Sequence, residues 1–137
     1  MTAPAMTFIN LPVANLDKTV KFYSALGFTF NPQFTDETAT CMVINDTTFA
    51  MLLTREKFKS FSNAPIPDAH TSTGLMVAIA LDNAAAVDAM MEAALKAGGQ
   101  EPRPPIDLGF MYNRTFSDPD GHRWEPFHMN MAEMPKS

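Results

Sequence analysis

The apolar and polar positions of this chain fall into two blocks that repeat the same order of elements. Residues 6–13, MTFINLPV, form an apolar run of strand length. Asn15 and Asp17 then offer N-caps for a helix over about 17–26, with Leu16, Val20, Tyr23 and Leu26 spaced to share one face. Gly27 is placed to end it, as glycine does where the chain must turn left-handed. Three strand-like runs follow, FTFNPQF, TATCMVIN and TFAMLLT, with Asn45-Asp46 as the turn between the last two.

The second block has the same order. GLMVAIAL, residues 74–81, predicts a strand, and Asp82 is the expected cap of the following helix. The apolar positions Val87, Met90, Met91, Ala94 and Leu95 recur at helical spacing, and Gly98-Gly99 closes the element. A proline-rich run at 101–106 comes next, which cannot fill a sheet ladder and predicts an edge or irregular segment. FMYNRTF at 110–116, the turn DPDG and HRWEPFHM then predict a hairpin. The fold class is therefore α+β, with two tandem βαβββ modules in a single domain. Module one spans about 6–54, a crossover about 55–73 and module two about 74–130.

Composition narrows the function classes. With 137 residues, 46% hydrophobic and 18% charged, the chain has the make-up of an ordinary globular domain with a full core. A formal net charge of −5 argues against a nucleic-acid partner. No apolar run reaches the roughly 20 residues of a membrane span, and MTAPAMTFIN lacks the features of a signal peptide, so a cytoplasmic location is expected. Cys41 is the only cysteine, which excludes an intrachain disulfide and a cysteine-based zinc cluster. Its setting in ATCMVIN predicts a buried packing thiol. The 11 methionines and 11 phenylalanines fill a core or line an adaptable apolar pocket.

Two stretches, LPVANLDKTVKFYSALGF and DPDGHRWEPF, resemble the vicinal oxygen chelate superfamily, which includes glyoxalase I, extradiol dioxygenases, fosfomycin-resistance enzymes and bleomycin-binding proteins. The resemblance covers residues 6–129. It implies that the two modules form a curved mixed sheet around a cleft and that a homodimer is the expected assembly. It also implies four metal-ligand positions, in the first and fourth strand of each module. Carried onto this chain they fall on Phe8, Leu52, Met76 and Glu125, so only Glu125 keeps a side chain that suits a divalent ion. His122 and His128 flank Glu125 at odd offsets, which alternation places on the other face of the strand. No metal and no other cofactor is expected.

Glu125 therefore needs another partner, because a carboxylate on an apolar face is costly unless compensated. Placing Pro119 and Asp120 at the centre of a type I turn sets Asp118 opposite Gly121 and pairs Arg114 with Glu125. By alternation the same cleft shows Phe8, Asn10, Leu52, Met76, Ala78, Tyr112 and Phe127, an apolar surface with a few polar groups. The segment REKFKSF reads either as a lid with Phe58 and Phe61 turned inward or as a solvated surface turn.

Two functions of different kind fit this pattern. One is a metal-free module that binds a small apolar or aromatic molecule in its cleft. The other is a metal-independent enzyme with Glu125 as catalytic general acid/base, possession of a desolvated carboxylate being the requirement. A metal-dependent lyase or dioxygenase is the third reading and has three of its four ligands missing.

Overall fold

The computed structural model describes residues 2–133. The chain divides into two compact units, the first ending at Pro67 and the second starting at Asp68. Each carries a mixed sheet; the first has three strands after its first helix, as expected, and the second has four, because the run expected as one strand at 110–116 is split into two short ones. The α+β class and the repeated module are thus realised in two separate sheets.

In the first unit, β1 (Thr7–Val13) leads into α1 (Leu16–Ala25), followed by β2 (Thr29–Asp36), β3 (Ala39–Val43) and β4 (Thr48–Thr54). The Asn15 side chain accepts from the backbone N–H of Lys18 at 3.0 Å, so the cap expected at α1 is Asn15. The helix buries Thr19, Phe22 and Tyr23, a stripe shifted slightly from the one its leucines suggest. The strands lie in the order β1-β4-β3-β2, with β1 and β4 parallel and the remaining pairs antiparallel. Val13, Met42, Ala50, Leu52 and Leu53 have almost no exposed surface, and each large one contributes roughly 1.5–3 kcal/mol of burial. The REKFKSF segment is helical: α2 (Arg55–Ser62) has no buried residue, and Phe61 lies exposed beneath the Lys57 ammonium. It is a surface helix.

In the second unit, β5 (Met76–Ala80) precedes α3 (Ala84–Lys96). The cap of α3 is Asn83, whose side chain accepts from the Ala86 N–H at 2.8 Å; Asp82, the expected cap, lies one residue too early. The strands β6 (Ile106–Asp107), β7 (Met111–Asn113), β8 (Phe116–Ser117) and β9 (Arg123–Met129) complete it. β5 and β9 are parallel, and β7 and β8 both run antiparallel to β9. The run at 101–106 is irregular until its last residue, as its prolines require. Val87, Met91 and Ala94 of α3 are buried, and Trp124 and Phe116 stack with parallel rings in the core. Among the described residues no helix is long and apolar enough to cross a membrane.

The DPDG turn sets the register of the last hairpin. The Gly121 N–H donates to the Asp118 carbonyl, and the Asp118 N–H donates to the His122 carbonyl, both at 2.9 Å. This is a type I turn followed by one left-handed residue, Gly121 at φ +89°, which adds a bulge to the returning strand. Asp118 therefore faces His122, and Phe116 pairs with Trp124. The expected register, with Asp118 opposite Gly121 and Arg114 opposite Glu125, is off by one residue, which carries every side chain to the other face.

Candidate functional site

Strand β9 alternates between half-buried and buried positions along RWEPFHM, with Trp124 and Pro126 inward and Arg123, Glu125 and Phe127 on the opposite face. Neighbouring strands extend that open face. Across the parallel pair, Met76 stands opposite Arg123, Ala78 opposite Glu125 and Ala80 opposite Phe127, and all three residues of β5 are exposed. Across the antiparallel pair, Asn113 stands opposite Phe127. The result is an apolar sheet surface with a carboxylate near its middle.

Glu125 is compensated by Arg103, a residue in the proline-rich run. The Arg103 Nη2 donates to Glu125 Oε2 at 2.8 Å and also to Asn113 Oδ1, while Nη1 donates to the Pro104 carbonyl at 3.1 Å. The pair is sheltered, with side-chain exposures of 27% for Arg103 and 17% for Glu125. Prolines 102, 104 and 105 restrict the backbone on both sides of Arg103, so little freedom is lost on holding the guanidinium in place.

Arg114, the expected partner of Glu125, points to the other side of the sheet. Its backbone N–H donates to the Pro126 carbonyl, which fixes it opposite Pro126. The guanidinium binds Glu101 through Nε at 2.9 Å and Nη2 at 3.0 Å, and Asp88 of α3 through Nη1 at 2.8 Å. Those contacts raise the pKa of Arg114 still further, with Glu101 the largest cause. Tyr112 shares that side and donates its hydroxyl to Asp88 at 2.6 Å. The hydrogen bond to Asp88, and then burial, push the Tyr112 pKa up; the bonds from Tyr112 and then Arg114 hold that of Asp88 down. Tyr112 and Arg114 thus leave the expected pocket and join a clamp between sheet and helix. The one-residue bulge at Gly121 is the reason for Arg114.

His128 also lies on the helix side, its Nδ1 3.1 Å from the Leu81 carbonyl; as a hydrogen bond this requires the Nδ1–H tautomer. His128 thus lies on the face of β9 opposite Glu125, as its odd offset implies. His70 is exposed in the loop that follows Asp68.

The candidates of the first unit form a surface of their own. Phe8 stands opposite Phe49 across the parallel pair, and their rings stack at 4.9 Å. Asn10 shares that face, opposite Met51. Leu52 pairs with Leu11 and is fully buried, and its odd offset from Phe49 puts it on the reverse face from Phe8. Leu52 is thus a core residue and leaves the expected pocket.

The four positions that the resemblance assigns to a metal do not suit one. Phe8 and Leu52 offer carbon, and they face opposite sides of their sheet. Met76 offers a thioether, a poor ligand for a hard or borderline cation. Glu125 Oε2 already accepts from Arg103. Among the described residues, no three histidine, cysteine, aspartate or glutamate side chains come together as a metal-holding group.

Residues 6–45 match the family described as bleomycin resistance protein-like N-terminal. No curated protein sequence matches the chain. Among solved structures, the hypothetical protein SA1046 from Staphylococcus aureus is 27% identical, with a TM-score of 0.78 over 93% of this chain and 95% of that one. A glyoxalase/bleomycin resistance protein/dioxygenase from Nocardioides is 21% identical, with a TM-score of 0.74 over 100% of this chain and 91% of that one. A family enzyme of the same description from Burkholderia phytofirmans is 13% identical, with a TM-score of 0.76 over 89% and 96%. At those lower identities the likeness is one of fold.

Proposed function

We propose that this chain, a member of the vicinal oxygen chelate superfamily, binds a small apolar or aromatic molecule on the open sheet face around Glu125, without a catalytic metal. One observation carries the reading. The only metal-competent side chain at the superfamily's ligand positions is held at 2.8 Å by Arg103. A cation at that oxygen would have to displace a guanidinium, and among the described residues Glu125 belongs to no group of three histidine, cysteine, aspartate or glutamate side chains that could hold it. The exposed Met76, Ala78 and Ala80 beside it give an apolar surface with a few polar groups, the usual make-up of a small-molecule site. A cytoplasmic homodimer belongs to the same proposal and is supported by the resemblance; light scattering tests the dimer.

Calorimetric titration with zinc, nickel, manganese and iron(II) tests the metal-free part. The expected result is no stoichiometric uptake. Stoichiometric uptake that disappears in Glu125→Ala overturns it. Amide chemical-shift mapping with 2-naphthamide tests the binding part, with perturbed resonances expected on β5 and β9.

A further inference from the structure

The open face of the second unit carries a second guanidinium, and nothing in the Glu125 network uses it. Arg123 lies two residues before Glu125 on β9, hence on the same face, with the exposed Met76 opposite it on β5 and Ser117 opposite it on β8. Arg123 is half-buried, yet among the described residues its side chain makes no hydrogen bond and no ion pair. Every other arginine of this unit is engaged: Arg103 with Glu125, and Arg114 with Asp88 and Glu101.

Charge on this face then has a definite sign. Arg103 and Glu125 cancel, because the pair is close and sheltered. Arg123 is left over, so the strand residues of this face and Arg103 together hold one surplus positive charge. The chain as a whole is at −5, but exposed charges more than a Debye length of about 8 Å from this face are screened at physiological salt. The nearer Asp118, in the adjoining turn, is buried and accepts from the backbone N–H groups of Asp120 and His122. A group in contact with the guanidinium is screened much less. A partly dehydrated guanidinium with five donors and no acceptor favours an anion that can take two of them at once.

We propose that the ligand of this face is a monoanionic amphipathic molecule, its carboxylate paired with Arg123 and its apolar body lying over Met76, Ala78 and Phe127. The proposal rests on the reading that this face binds a small apolar molecule, and adds the ligand's charge and the residue that recognises it. Arg103 is excluded as the anchor, since an anion that took it would strand Glu125 without a partner.

The test uses three probes of one shape and three charges: 2-naphthoate, 2-naphthamide and 2-naphthylmethylammonium. Each is titrated into the full chain while amide resonances of β5 and β9 are followed. The expected result is that naphthoate binds about tenfold tighter than naphthamide, the range of one charge-assisted contact. In Arg123→Gln that preference disappears, and in Arg123→Glu it passes to the ammonium probe. Arg123→Lys, the mildest change, keeps part of the preference and serves where the other variants do not fold. Equal binding of naphthoate and naphthamide to the wild type overturns the proposal, while leaving the small-molecule reading in place. A naphthoate preference that survives Arg123→Gln overturns it as well. If no probe perturbs this face, the small-molecule reading fails and the proposal fails with it.

Discussion

Arg103 and Glu125 lie 22 residues apart in the chain and meet at 2.8 Å on the open face of the second unit's sheet. Neither belongs to the hairpin partner of the other. The contact is made by an irregular proline-bound loop that reaches over the sheet from the end of α3.

A double-mutant cycle measures that contact. The pair is about a fifth exposed, so its coupling is expected at the top of the surface range and well below that of a fully buried pair, at about 1 kcal/mol. Denaturant unfolding of Arg103→Ala, Glu125→Ala and the double variant gives the value. The matching cycle between Arg114 and Glu125 is expected to be additive, because those side chains lie on opposite faces and share no partner. Coupling in the second cycle and none in the first would reverse the assignment.

The need of Glu125 for a cation is legible in the sequence, but the arginine that meets it is Arg103 and not Arg114. That Glu125 needs a cation follows from burial energetics alone, and it has one. Which cation depends on register, and register depends on a single residue. Gly121 in Asp-Pro-Asp-Gly sits where a type I turn takes glycine, and its φ of +89° inserts the extra residue that moves Arg114 opposite Pro126. Counting the turn as a bulged hairpin would have found this. Arg103 had no such signal, since the run EPRPP has no periodicity and its contact is long-range. Leu52 shows the other kind of miss. Its position by resemblance was one residue away from the face that Phe8 and Phe49 share, and in a period-two element that is enough to exchange pocket for core. The repeated βαβββ order was legible because helix and strand periods, caps and turns all pointed the same way.

Gly121→Ala is expected to cost more than about 2 kcal/mol, since strain and steric conflict add. A Cβ there would lie 2.7–2.8 Å from the backbone of Ala69 and His70, where no side-chain rotation relieves it. Gly27→Ala is the control: it has a similar φ of +97° with nothing within 4 Å, and is expected to cost only the left-handed penalty of about 1 kcal/mol. Thermal or denaturant unfolding of both variants compares them. A Gly121→Ala cost no larger than that of Gly27→Ala would show that the Ala69–His70 backbone moves aside freely.

Cys41 is fully buried in β3, and burial pushes its thiol pKa up, so the thiolate is scarce at neutral pH. The folded protein is expected to leave Ellman's reagent unreacted at pH 8 and to release one equivalent of thiol on adding denaturant. Rapid reaction in the native state would mean that β3 opens on the timescale of the assay, or that the thiol is used chemically.

Asp88, Tyr112 and Arg114 give the second unit a pH dependence with two edges. The carboxyl of Asp88 is held below its ordinary value of 3.8 by the bonds from Tyr112 and Arg114. A lowered folded pKa means that the unfolded chain binds the proton more readily. The contribution is therefore complete above pH 3.8 and is lost as pH falls through the folded value. Tyr112 is raised above 10.0 by its bond to Asp88, so its contribution is present below pH 10.0 and is lost as pH rises through the folded value. The Asp88 side chain is nearly half exposed, which limits the expected cost of Asp88→Asn at pH 7 to about 0.5–1 kcal/mol. Unfolding free energies followed from pH 7 down to pH 2 check the sign, and the acid slope is expected to be shallower in Asp88→Asn than in the wild type. An unchanged acid slope would assign the dependence to other carboxylates and leave Asp88 as a neutral bystander of the clamp.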